Sequence, residues 1–589
     1  MLREEACILT TTRPWAESRK IERLLAFFGS SARTLPVGDF WTEAKSQQDT
    51  TGYRLFSSAN GLLELLDLIE LDNAKELCWV DRVHSVFVQG DLMDGATGEL
   101  VRVLTGGKDC HVEETADGSI EWEVTTAIDD FGGHMRGLRI APRSRPGKMR
   151  RGIDVSEAAG SPLISSGRNS VFFMLRWRNV PIFVCLADEI IDLDGTLTTP
   201  NFDVRDHFFA AVPVVSYLRW AFPDTLWRPV DLGGCIIIDD PLLRPRYGFV
   251  RFRSLLELME RHDFSSNIAF IPWNWKRSDS DTASLFKSNP GRLSLSIHGC
   301  DHTAGEFGNT SSEQLRSLIA TALERMEAHE KLTGLTHGQI MVFPQGIFSE
   351  PAMRELKQAN FVAAVNTEVI CAGESGQVLR ISDVWDVAVR RYADFPLYTR
   401  RYPGQSVENF AFDLQLGKPC LIVIHHDDCR NNCHDLMKFV ERLNALRPRI
   451  VWRNLGDVLR RSYRRRTIDL SVEEIEMYAA EIVIENVSPN AKTFRVKRRE
   501  AEPMSVAEVH CGSQSIRWDV VTNYLHFEVV LPPGGSTTVR IRHASPQGSE
   551  QNGRAHSGFK TALRRFLCEM RDNYVVPAKD RLGFFSQSP

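Results

Sequence analysis

The chain has 589 residues, about four times a typical domain of ~150 residues, so we expect two to four domains. Apolar residues make up 43% and charged residues 25%, a balance that excludes the collagen-like, coiled-coil and disordered classes. With 71 Lys plus Arg against 76 Asp plus Glu, the net charge is -5. The chain therefore lacks the overall basic charge that would indicate a nucleic-acid partner.

The apolar stretches do not predict a membrane span. The most apolar long stretch, residues 171–186, is interrupted by Arg176 and Arg178, whereas a spanning helix needs about 20 predominantly apolar residues. Glu4 and Glu5 stand where a signal peptide would carry Lys or Arg. Most of the 12 cysteines lie singly in apolar surroundings, which is typical of reduced core thiols. These features predict a cytoplasmic protein.

Residues 1–225 alternate strand and helix patterns, which predicts an N-terminal α/β region. Short apolar runs predict strands at residues 7–9, 83–88, 121–126 and 171–184, and helical spacing predicts helices at 21–28 and 61–69. A loop rich in Pro, Gly and basic residues at 143–151 predicts a boundary between two subdomains near 140–150.

Residues 226–466 alternate strand-like runs with helix patterns, which predicts a deformed (β/α) barrel. The strand-like runs are residues 235–238, 266–271, 293–297, 340–343, 361–365 and 420–424. The clearest helix begins near Ser311, has Gln314 in a capping box, and ends near Gly334.

The C-terminal part changes character again. Residues 467–545 carry strand signals at 481–485, 493–496, 524–530 and 536–541, which predicts a small antiparallel β-sandwich-like domain. Residues 546–589 are expected to form a polar linker and an amphipathic helix with an apolar stripe of Leu563, Phe566, Leu567 and Met570. This stripe could dock on the barrel or lie on an anionic membrane. The expected fold class is thus α/β multidomain.

Polar, chemistry-bearing residues follow three of the predicted barrel strands. Asp239 and Asp240 end one apolar run, and the buried charge of such a pair requires a cation or donor. His298 and His302 follow a second strand at a spacing that can present both imidazoles to one divalent ion. His426 ends a third strand. Since the carboxyl ends of barrel strands meet at one face, the sequence predicts a metal-dependent hydrolase site there.

This ordered set resembles the polysaccharide deacetylase (NodB-homology) family, in an atypical multidomain bacterial branch. That family has an Asp-Asp pair, a His-(Ser/Thr)-x-x-His pair, an Arg-x-Pro-x-Gly loop and a late strand-end His. The counterparts are Asp239-Asp240, His298/His302, residues 343–346 and His426. The resemblance extends over roughly residues 230–460 and includes the segments DDPLLRPRYGF, AFIPWNW and HGCDHTAGEFG.

The sequence departs from the family pattern at four places. Gly299 replaces the hydroxyl residue, and Pro241 follows the Asp pair. Val342 stands where the family has the loop arginine that tethers the catalytic aspartate. Residues 383–386 only weakly match a later motif with Asp and Trp.

The resemblance implies a metal site and two catalytic residues. Asp240, His298 and His302 would bind Zn²⁺, with Co²⁺, Ni²⁺ or Mn²⁺ as alternatives. Asp239 would be the general base, and His426 would protonate the departing amine. Since successive strand residues face opposite ways, the neighbouring His425 is the rival candidate for that role.

Further substrate contacts are expected around the same face. The backbone N–H of Gln345 would stabilise the oxyanion. Trp273 and Trp275 could stack on sugar rings, or they could simply pack a loop. Tyr247, together with Arg244 and Arg246, could bind an anionic substrate or replace the missing loop arginine.

The sequence therefore predicts a metal-dependent hydrolase that removes N-acetyl groups from an acetamido-sugar-containing glycan or glycan precursor, such as an exopolysaccharide. One alternative, motivated by Val342, is a catalytically silent glycan-binding or polysaccharide-assembly protein. Another is a metal hydrolase of a different amide or ester. The expected partner is a glycan, met in the cytoplasm or at the inner membrane surface, with no nucleic acid and at most peripheral membrane contact.

Overall fold

The computed structural model describes residues 4–12, 15–46, 52–72, 76–108, 110–116, 120–143, 149–156, 160–308, 311–372, 378–544 and 558–581. One unit comprises Met1–Gly195 with Asp203–Trp227, and the other comprises Thr196–Phe202 with Arg228–Pro589. None of the helices in the described residues has both the length and the apolar character needed to cross a bilayer. The finer division at 225/226, 466/467 and 545/546 stays a prediction.

An 11-stranded mixed sheet forms the centre of the first unit. Its strands are Glu4–Thr10, Ala32–Pro36, Gly52–Ser58, Val83–Gln89, Val112–Ala116, Trp122–Val124, Arg139–Ile140, Met149–Ile153, Ser161–Ser166, Asn169–Trp177 and Val180–Cys185. Its helices are Ser18–Phe27, Val37–Ser46, Ala59–Leu71, Glu76–Arg82, Gly95–Leu104 and Phe208–Ala221. The first four strands and Val180–Cys185 pair in parallel, and the rest pair antiparallel. The predicted α/β region is confirmed.

Two sequence expectations for this unit were wrong in detail. The run at 171–184 is a hairpin, because Arg178 and Asn179 form its turn with φ of 46° and 68°. The expected loop at 143–151 already contains strand from Met149 onward, and residues 144–148 lie outside the described residues.

The second unit contains a parallel half-barrel. Along the sheet its strands are Leu397–Thr399, Ala363–Asn366, Ile340–Val342, Leu293–His298, Ser266–Phe270, Gly233–Asp239 and Cys420–Ile424, with Val451–Trp452 paired to Gly233–Asp239. The surrounding helices are Phe252–His262, Ser280–Ser288, Ser312–Thr333, Glu350–Gln358, Ile381–Trp385, Val407–Leu416, Arg430–Asn444 and Leu455–Arg461. Arg401 hydrogen-bonds to Leu421 and Val423 and so bridges the two edge strands. The predicted barrel strands are confirmed as a half-barrel.

Local sequence signals explain the clearest helix of this unit. The Ser311 hydroxyl accepts a hydrogen bond from the N–H of Gln314 at 3.5 Å, and the helix ends at Gly334 in the left-handed region with φ of 71°. Both predicted ends are therefore correct. The sequence did not predict the strands Leu397–Thr399 and Val451–Trp452. Strands of three and two residues are too short to show an alternation of apolar and polar side chains.

Residues 464–543, together with Arg228–Pro229, form two sheets. Buried side chains of residues 464–543 share one hydrophobic cluster. The larger contains Arg228–Pro229, Arg464–Thr467, Val472–Met477, Lys492–Arg499, Tyr524–Leu531 and Asp519–Val521, and the smaller contains Glu481–Glu485, Ser536–His543, Val506–Cys511 and Gln514–Ser515. Val472–Met477 and Lys492–Arg499 pair in parallel, so the sheets are not purely antiparallel as expected. The sandwich arrangement stays a prediction.

The C-terminal helix docks on the barrel by its polar face. It runs through Gly558–Met570, Arg571–Val575 and Val576–Arg581, and Arg277 of the barrel donates to its Glu569 at 2.7 Å. Of the two positions that the sequence allowed for this helix, docking on the barrel is the one observed. The expected contact surface was wrong, because the apolar stripe is 39–57% exposed: Leu563, Phe566, Leu567 and Met570. The linker expected at 546–557 lies outside the described residues, and the membrane contact stays a prediction.

A buried ion cluster ties the half-barrel to the C-terminal sheets. Glu500, fully buried, accepts hydrogen bonds from Lys357 on a barrel helix and from Arg498 at 2.8 Å. His543 Nε2 lies 3.1 Å from the same carboxylate. Burial would raise the pKa of Glu500, but His543, Arg498 and Lys357 lower it to about 2.

Replacing Glu500 by Gln should lower the free energy of unfolding by about 3–5 kcal/mol, because it leaves buried cations without their partner. Since the folded-state pKa lies below the ordinary 4.5, this stabilisation is present above pH 4.5 and is lost as pH falls toward 2. Urea unfolding of Glu500→Gln beside the exposed control Glu502→Gln measures it. Equal stability of the two variants would contradict the cluster's role.

Candidate metal centre

Three side chains that follow buried barrel strands meet at the carboxyl edge of the parallel sheet. The Oδ1 atom of Asp240 lies 3.1 Å from Nε2 of His302 and 3.6 Å from Nε2 of His298. One ligand atom from each residue lies within 4.8 Å of the others. The backbone is strained here, since Asp240 and His302 have φ of 80° and 56°, and such strain persists where surrounding structure fixes it. The structure thus brings together the three predicted ligands.

The donor set fits a divalent metal ion. The Oδ1 atom of Asp240 is buried without a hydrogen-bond partner in the described part of the chain, which is costly unless a cation satisfies it. The Nδ1 atom of His298 lies 2.9 Å from the carbonyl oxygen of Val342. This contact fixes the imidazole so that Nε2 is free to bind a metal, as in many metal-ligating histidines. Two imidazoles and one carboxylate are ligands that zinc-like ions use.

The electrostatic setting keeps His302 neutral. Burial lowers its pKa to about 4; Asp240 opposes this shift, and the neighbouring His298 and Arg565 add to it. At neutral pH the imidazole is therefore unprotonated, which is the form that binds a metal ion.

Glu306 holds the loop that carries His302. Its carboxylate accepts hydrogen bonds from the N–H groups of Cys300, Asp301 and His302 at 2.8, 3.2 and 3.2 Å, and from Thr303 as well. This close approach explains Gly299 at the position where the family has a hydroxyl residue. A Cβ there would lie 2.0 Å from Glu306 Oε1.

Asp239 is held by an arginine that the sequence did not predict. Arg400, which follows strand Leu397–Thr399, donates two hydrogen bonds to its carboxylate at 2.6 and 2.7 Å, and both side chains are buried. Burial would raise the pKa of Asp239, but Arg400 leads the charges that hold it below its ordinary value. Arg400 thus holds Asp239 as the loop arginine of the resembled family would, and that loop position is Val342 in this chain.

The sequence also allowed Arg244 and Arg246 as replacements for the missing loop arginine, and neither contacts Asp239 in the described residues. Arg244 and Arg246 are exposed, and the Nε of Arg246 donates to the carbonyl of Gly248 at 2.9 Å. Their loop, which runs past the end of strand Gly233–Asp239, turns both side chains toward solvent instead of toward Asp239.

His426 lies in a buried pocket of aromatic rings and carboxylates. Tyr247 and Phe249 contact its ring with centroids 6.0 Å away. Its Nδ1 lies 2.9 Å from Asp427 and its Nε2 lies 3.5 Å from Asp572 of the C-terminal helix. Burial alone would lower the pKa of His426, but the two carboxylates raise it to about 9.

His425 occupies a different environment. It is half-buried and stacks on Tyr402 with ring centroids 6.2 Å apart, and it is one of the groups that lower the pKa of Asp239. The two adjacent histidines therefore serve different neighbours: His425 lies toward Asp239, and His426 lies against Asp572.

The remaining predicted contacts lie on loops at the same edge. The backbone N–H of Trp273 donates to the carbonyl of Cys300 at 3.1 Å, and the guanidinium of Arg325 lies over its indole ring, 5.1 Å from the centroid. Trp275 is half-buried beside Lys276. Gln345 is exposed, with φ of 58°. The hydroxyl of Tyr247 donates to Asp572 at 2.9 Å, so in this structure it contacts the C-terminal helix.

Replacing Gly299 by Ala should disrupt the metal centre, because the new methyl group would collide with Glu306 and Pro344. We expect zinc affinity to fall by about 10–100-fold, the usual effect of disturbing residues that orient metal ligands. Competition with a fluorescent chelator measures the affinity.

The matched control is Gly305→Ala. Gly305 has nearly the same φ, +63° against +66°, but open space around its Cβ position. Both variants carry the backbone strain of a side chain at positive φ, so equal zinc affinities would contradict the clamp.

The pKa of His426 should fall toward its ordinary value in Asp572→Asn, because an amide supplies no negative charge. In the wild type the raised pKa stabilises the fold below pH 6.5, and this contribution is lost as pH rises through about 9. NMR titration of the imidazole, assigned with His426→Gln, measures the shift. The control Asp580→Asn removes a carboxylate of the same helix that pairs with Arg430, and a similar shift in both variants would refute the pairing.

Comparison with solved structures finds chains of the family that the motifs resemble. A Mycobacterium smegmatis protein described as a polysaccharide deacetylase is 14% identical with a TM-score of 0.27; the match covers 38% of this chain and 90% of that chain. A family 4 carbohydrate esterase from Streptomyces lividans, in complex with acetate, is 12% identical with a TM-score of 0.22 and coverages of 36% and 86%. A family 4 acetyl xylan esterase from Clostridium thermocellum, in complex with a cobalt ion, is 13% identical with a TM-score of 0.22 and coverages of 36% and 81%. No protein-family model and no curated protein matches the sequence. These likenesses are too distant to assign an activity, which depends on the geometry above.

Proposed function

We propose that this protein is a metal-dependent hydrolase that removes N-acetyl groups from an acetamido-sugar-containing glycan or glycan precursor. The observation that carries the proposal is the cluster of Asp240, His298 and His302, whose ligand atoms lie within 4.8 Å of one another. The arginine-held Asp239 lies directly beside this cluster in the chain. Hydrolases that activate a water molecule use a metal site with an adjacent ionised carboxylate.

The three residues of the cluster would hold the ion. Zn²⁺ suits two imidazoles and one carboxylate, and Co²⁺, Ni²⁺ or Mn²⁺ are alternatives. Bound there, the ion would polarise the acyl oxygen and make a water molecule more acidic. The contact of His298 with the Val342 carbonyl keeps the ligand imidazole oriented for this purpose.

Asp239 would accept the proton of the attacking water. Its low pKa keeps it ionised, and the two hydrogen bonds from Arg400 fix the carboxylate in one orientation. The oxygen of this water forms a bond to the acyl carbon, and the negative charge that develops on the acyl oxygen would be stabilised by the N–H of Gln345. That N–H donates to no residue in the part of the chain that the structure describes.

His426 would protonate the departing nitrogen. An amine leaves only after its nitrogen receives a proton, because the anion is a very poor leaving group. With a pKa of about 9, His426 is protonated at neutral pH. The C–N bond then breaks to give acetic acid, which ionises to acetate, and the free amino sugar. The proton taken up by Asp239 is released to solvent, and His426 takes up a proton from solvent, which restores both groups. His425 remains the rival candidate for this role.

The choice of an N-acetyl sugar as the substrate rests on the resemblance of the motifs, and the aromatic loops support this choice. Trp273 and Trp275 lie on the loop after strand Ser266–Phe270, at the edge that carries the cluster. Flat aromatic side chains at this edge suit sugar rings. The main argument for a catalytically silent protein was the arginine that is missing at Val342. That argument is weaker because Arg400 pairs with Asp239 instead.

Acetate release from N-acetylglucosamine oligomers should occur with zinc and stop with a chelator. In Asp239→Asn the rate should fall by about 10²–10⁴-fold, the usual contribution of a general base, while zinc content stays near one ion per chain. His302→Ala should lose the zinc as well as the activity. Asp281→Asn, an exposed aspartate on a barrel helix, is the matched control.

The outcomes separate the hypotheses. Zinc binding without acetate release from any acetylated sugar would favour the silent alternative. Hydrolysis of other amides or esters but not of the oligomers would favour a different substrate. Loss of zinc in Asp239→Asn would mean that the roles of the two aspartates are exchanged.

A further inference from the structure

A positively charged side chain of the C-terminal helix is buried beside the metal centre without a counter-charge. Arg565 is only 4% exposed, whereas its neighbours Phe566 and Leu567 are each 57% exposed. Its Nε has no hydrogen-bond partner, and no described residue forms an ion pair with its guanidinium. A buried charge in this state is costly, so Arg565 is arranged for a partner that the described residues do not supply.

The helix geometry points Arg565 at the site. Positions 565, 569 and 572 follow the i, i+4, i+7 spacing of one helix face. Glu569 on this face pairs with Arg277, and Asp572 accepts a hydrogen bond from Tyr247. Asp572 on this face also lies 3.5 Å from His426, and Arg565 is buried on the same face, so Arg565 belongs to the face of the helix that packs against the loops at the carboxyl edge of the barrel.

The carboxylates around this point are already committed. Asp572 is bonded to Tyr247 and to Arg571 at 2.7 Å. Glu569 is paired with Arg277, and Asp239 is paired with Arg400. Asp240 belongs to the metal cluster, where a divalent ion would leave a net positive charge. A bound anion is therefore the partner that balances the site.

We propose that Arg565 binds an anionic group, a carboxylate or a phosphate, on the acetamido sugar that enters the site. This inference rests on the proposed function for the nature of the sugar. A guanidinium suits the task because its planar donors can bind two oxygens of a carboxylate or phosphate at once. Specificity for a charged sugar would then come from the C-terminal helix, which lies outside the region that carries the family motifs.

Calorimetric titration of the zinc-loaded full chain tests the proposal. The probes are N-acetylmuramic acid, which carries a carboxylate, N-acetylglucosamine 1-phosphate, and neutral N-acetylglucosamine. We expect at least one anionic sugar to bind about tenfold or more tightly than the neutral one, a difference in the range measured for hydrogen bonds to charged groups. The tighter of the two anionic probes identifies whether the site prefers carboxylate or phosphate.

Arg565→Gln should abolish this preference, and Arg565→Lys should keep part of it because the charge remains. The control Arg564→Gln changes the neighbouring arginine, which is more exposed, and should bind like the wild type. Equal binding of neutral and anionic sugars by the wild type, or an unchanged preference in Arg565→Gln, would overturn the proposal.

The thermal midpoint of the ligand-free chain gives a second readout. Because Arg565 pairs with none of the residues that the structure describes, Arg565→Gln should unfold at a temperature no lower than that of Arg564→Gln. Failure to fold, or a large drop in the midpoint, would show a structural role and would also overturn the proposal.

The two proposals fail in different ways. Acetate release from neutral oligomers, together with a preference for anionic sugars that Arg565→Gln leaves unchanged, would leave the proposed function standing and remove the anion site. Binding of an anionic sugar that depends on Arg565, without any acetate release, would do the opposite.

Discussion

Two adjacent carboxylates end a strand whose preceding residues, Ile236, Ile237 and Ile238, are fully buried. Withdrawing even one carboxylate from water costs several kcal/mol unless a positive charge and hydrogen bonds replace the water. The fold meets this constraint in two ways. Arg400 neutralises Asp239 with two hydrogen bonds, and Asp240 turns toward two imidazoles, where a divalent ion would complete the neutralisation. The chemistry of the site follows from this division of roles.

The rest of the site is built to hold these groups in place. Glu306 fixes the loop of His302 through backbone N–H groups, and this close contact leaves no space for a side chain at Gly299. The carbonyl of Val342 orients His298. A rigid surrounding shell of this kind is what a metal centre needs to keep its ligands aligned. The strained backbone of Asp240 and His302 is stabilised by the same shell.

The C-terminal helix adds a second layer. Its polar face supplies Asp572 to His426 and Arg565 to the neighbourhood of the metal centre, while its apolar stripe is exposed. This helix thereby raises the pKa of His426, and on the proposal above its Arg565 would meet the charge of a substrate. A segment far along the chain from the barrel strands thus contacts His426 and Tyr247 at the edge where those strands end.

The sequence predicted the metal cluster because its residues follow strong local signals. Asp240 directly follows the apolar strand Gly233–Asp239, and His298 ends the strand Leu293–His298, with His302 four residues beyond it. The parallel order of such strands brings their ends together. Arg400 was not predicted, because it follows a strand of three residues that has no detectable period. Asp572 was not predicted either, since Tyr247, to which it is bonded, lies 325 residues away in the chain.

The apolar stripe of the last helix misled the sequence analysis for a physical reason. Hydrophobic spacing indicates which face is buried when burial of apolar area drives the contact. Here the contact is made by ion pairs and hydrogen bonds, among them Arg277 with Glu569 and Gly248 with Asn573. A pattern of charges that find their partners only in the folded chain cannot be recognised from periodicity.

The coordination of a bound ion tests the central claim most directly. X-ray absorption spectroscopy of the zinc-loaded chain should show one ion per molecule with two imidazole nitrogens and carboxylate or water oxygens at about 2.0–2.2 Å. Sulfur in the first shell would place the ion at cysteines such as Cys429 and Cys433 instead. That result, or the absence of stoichiometric binding, would contradict the account of Asp240, His298 and His302 as the metal centre.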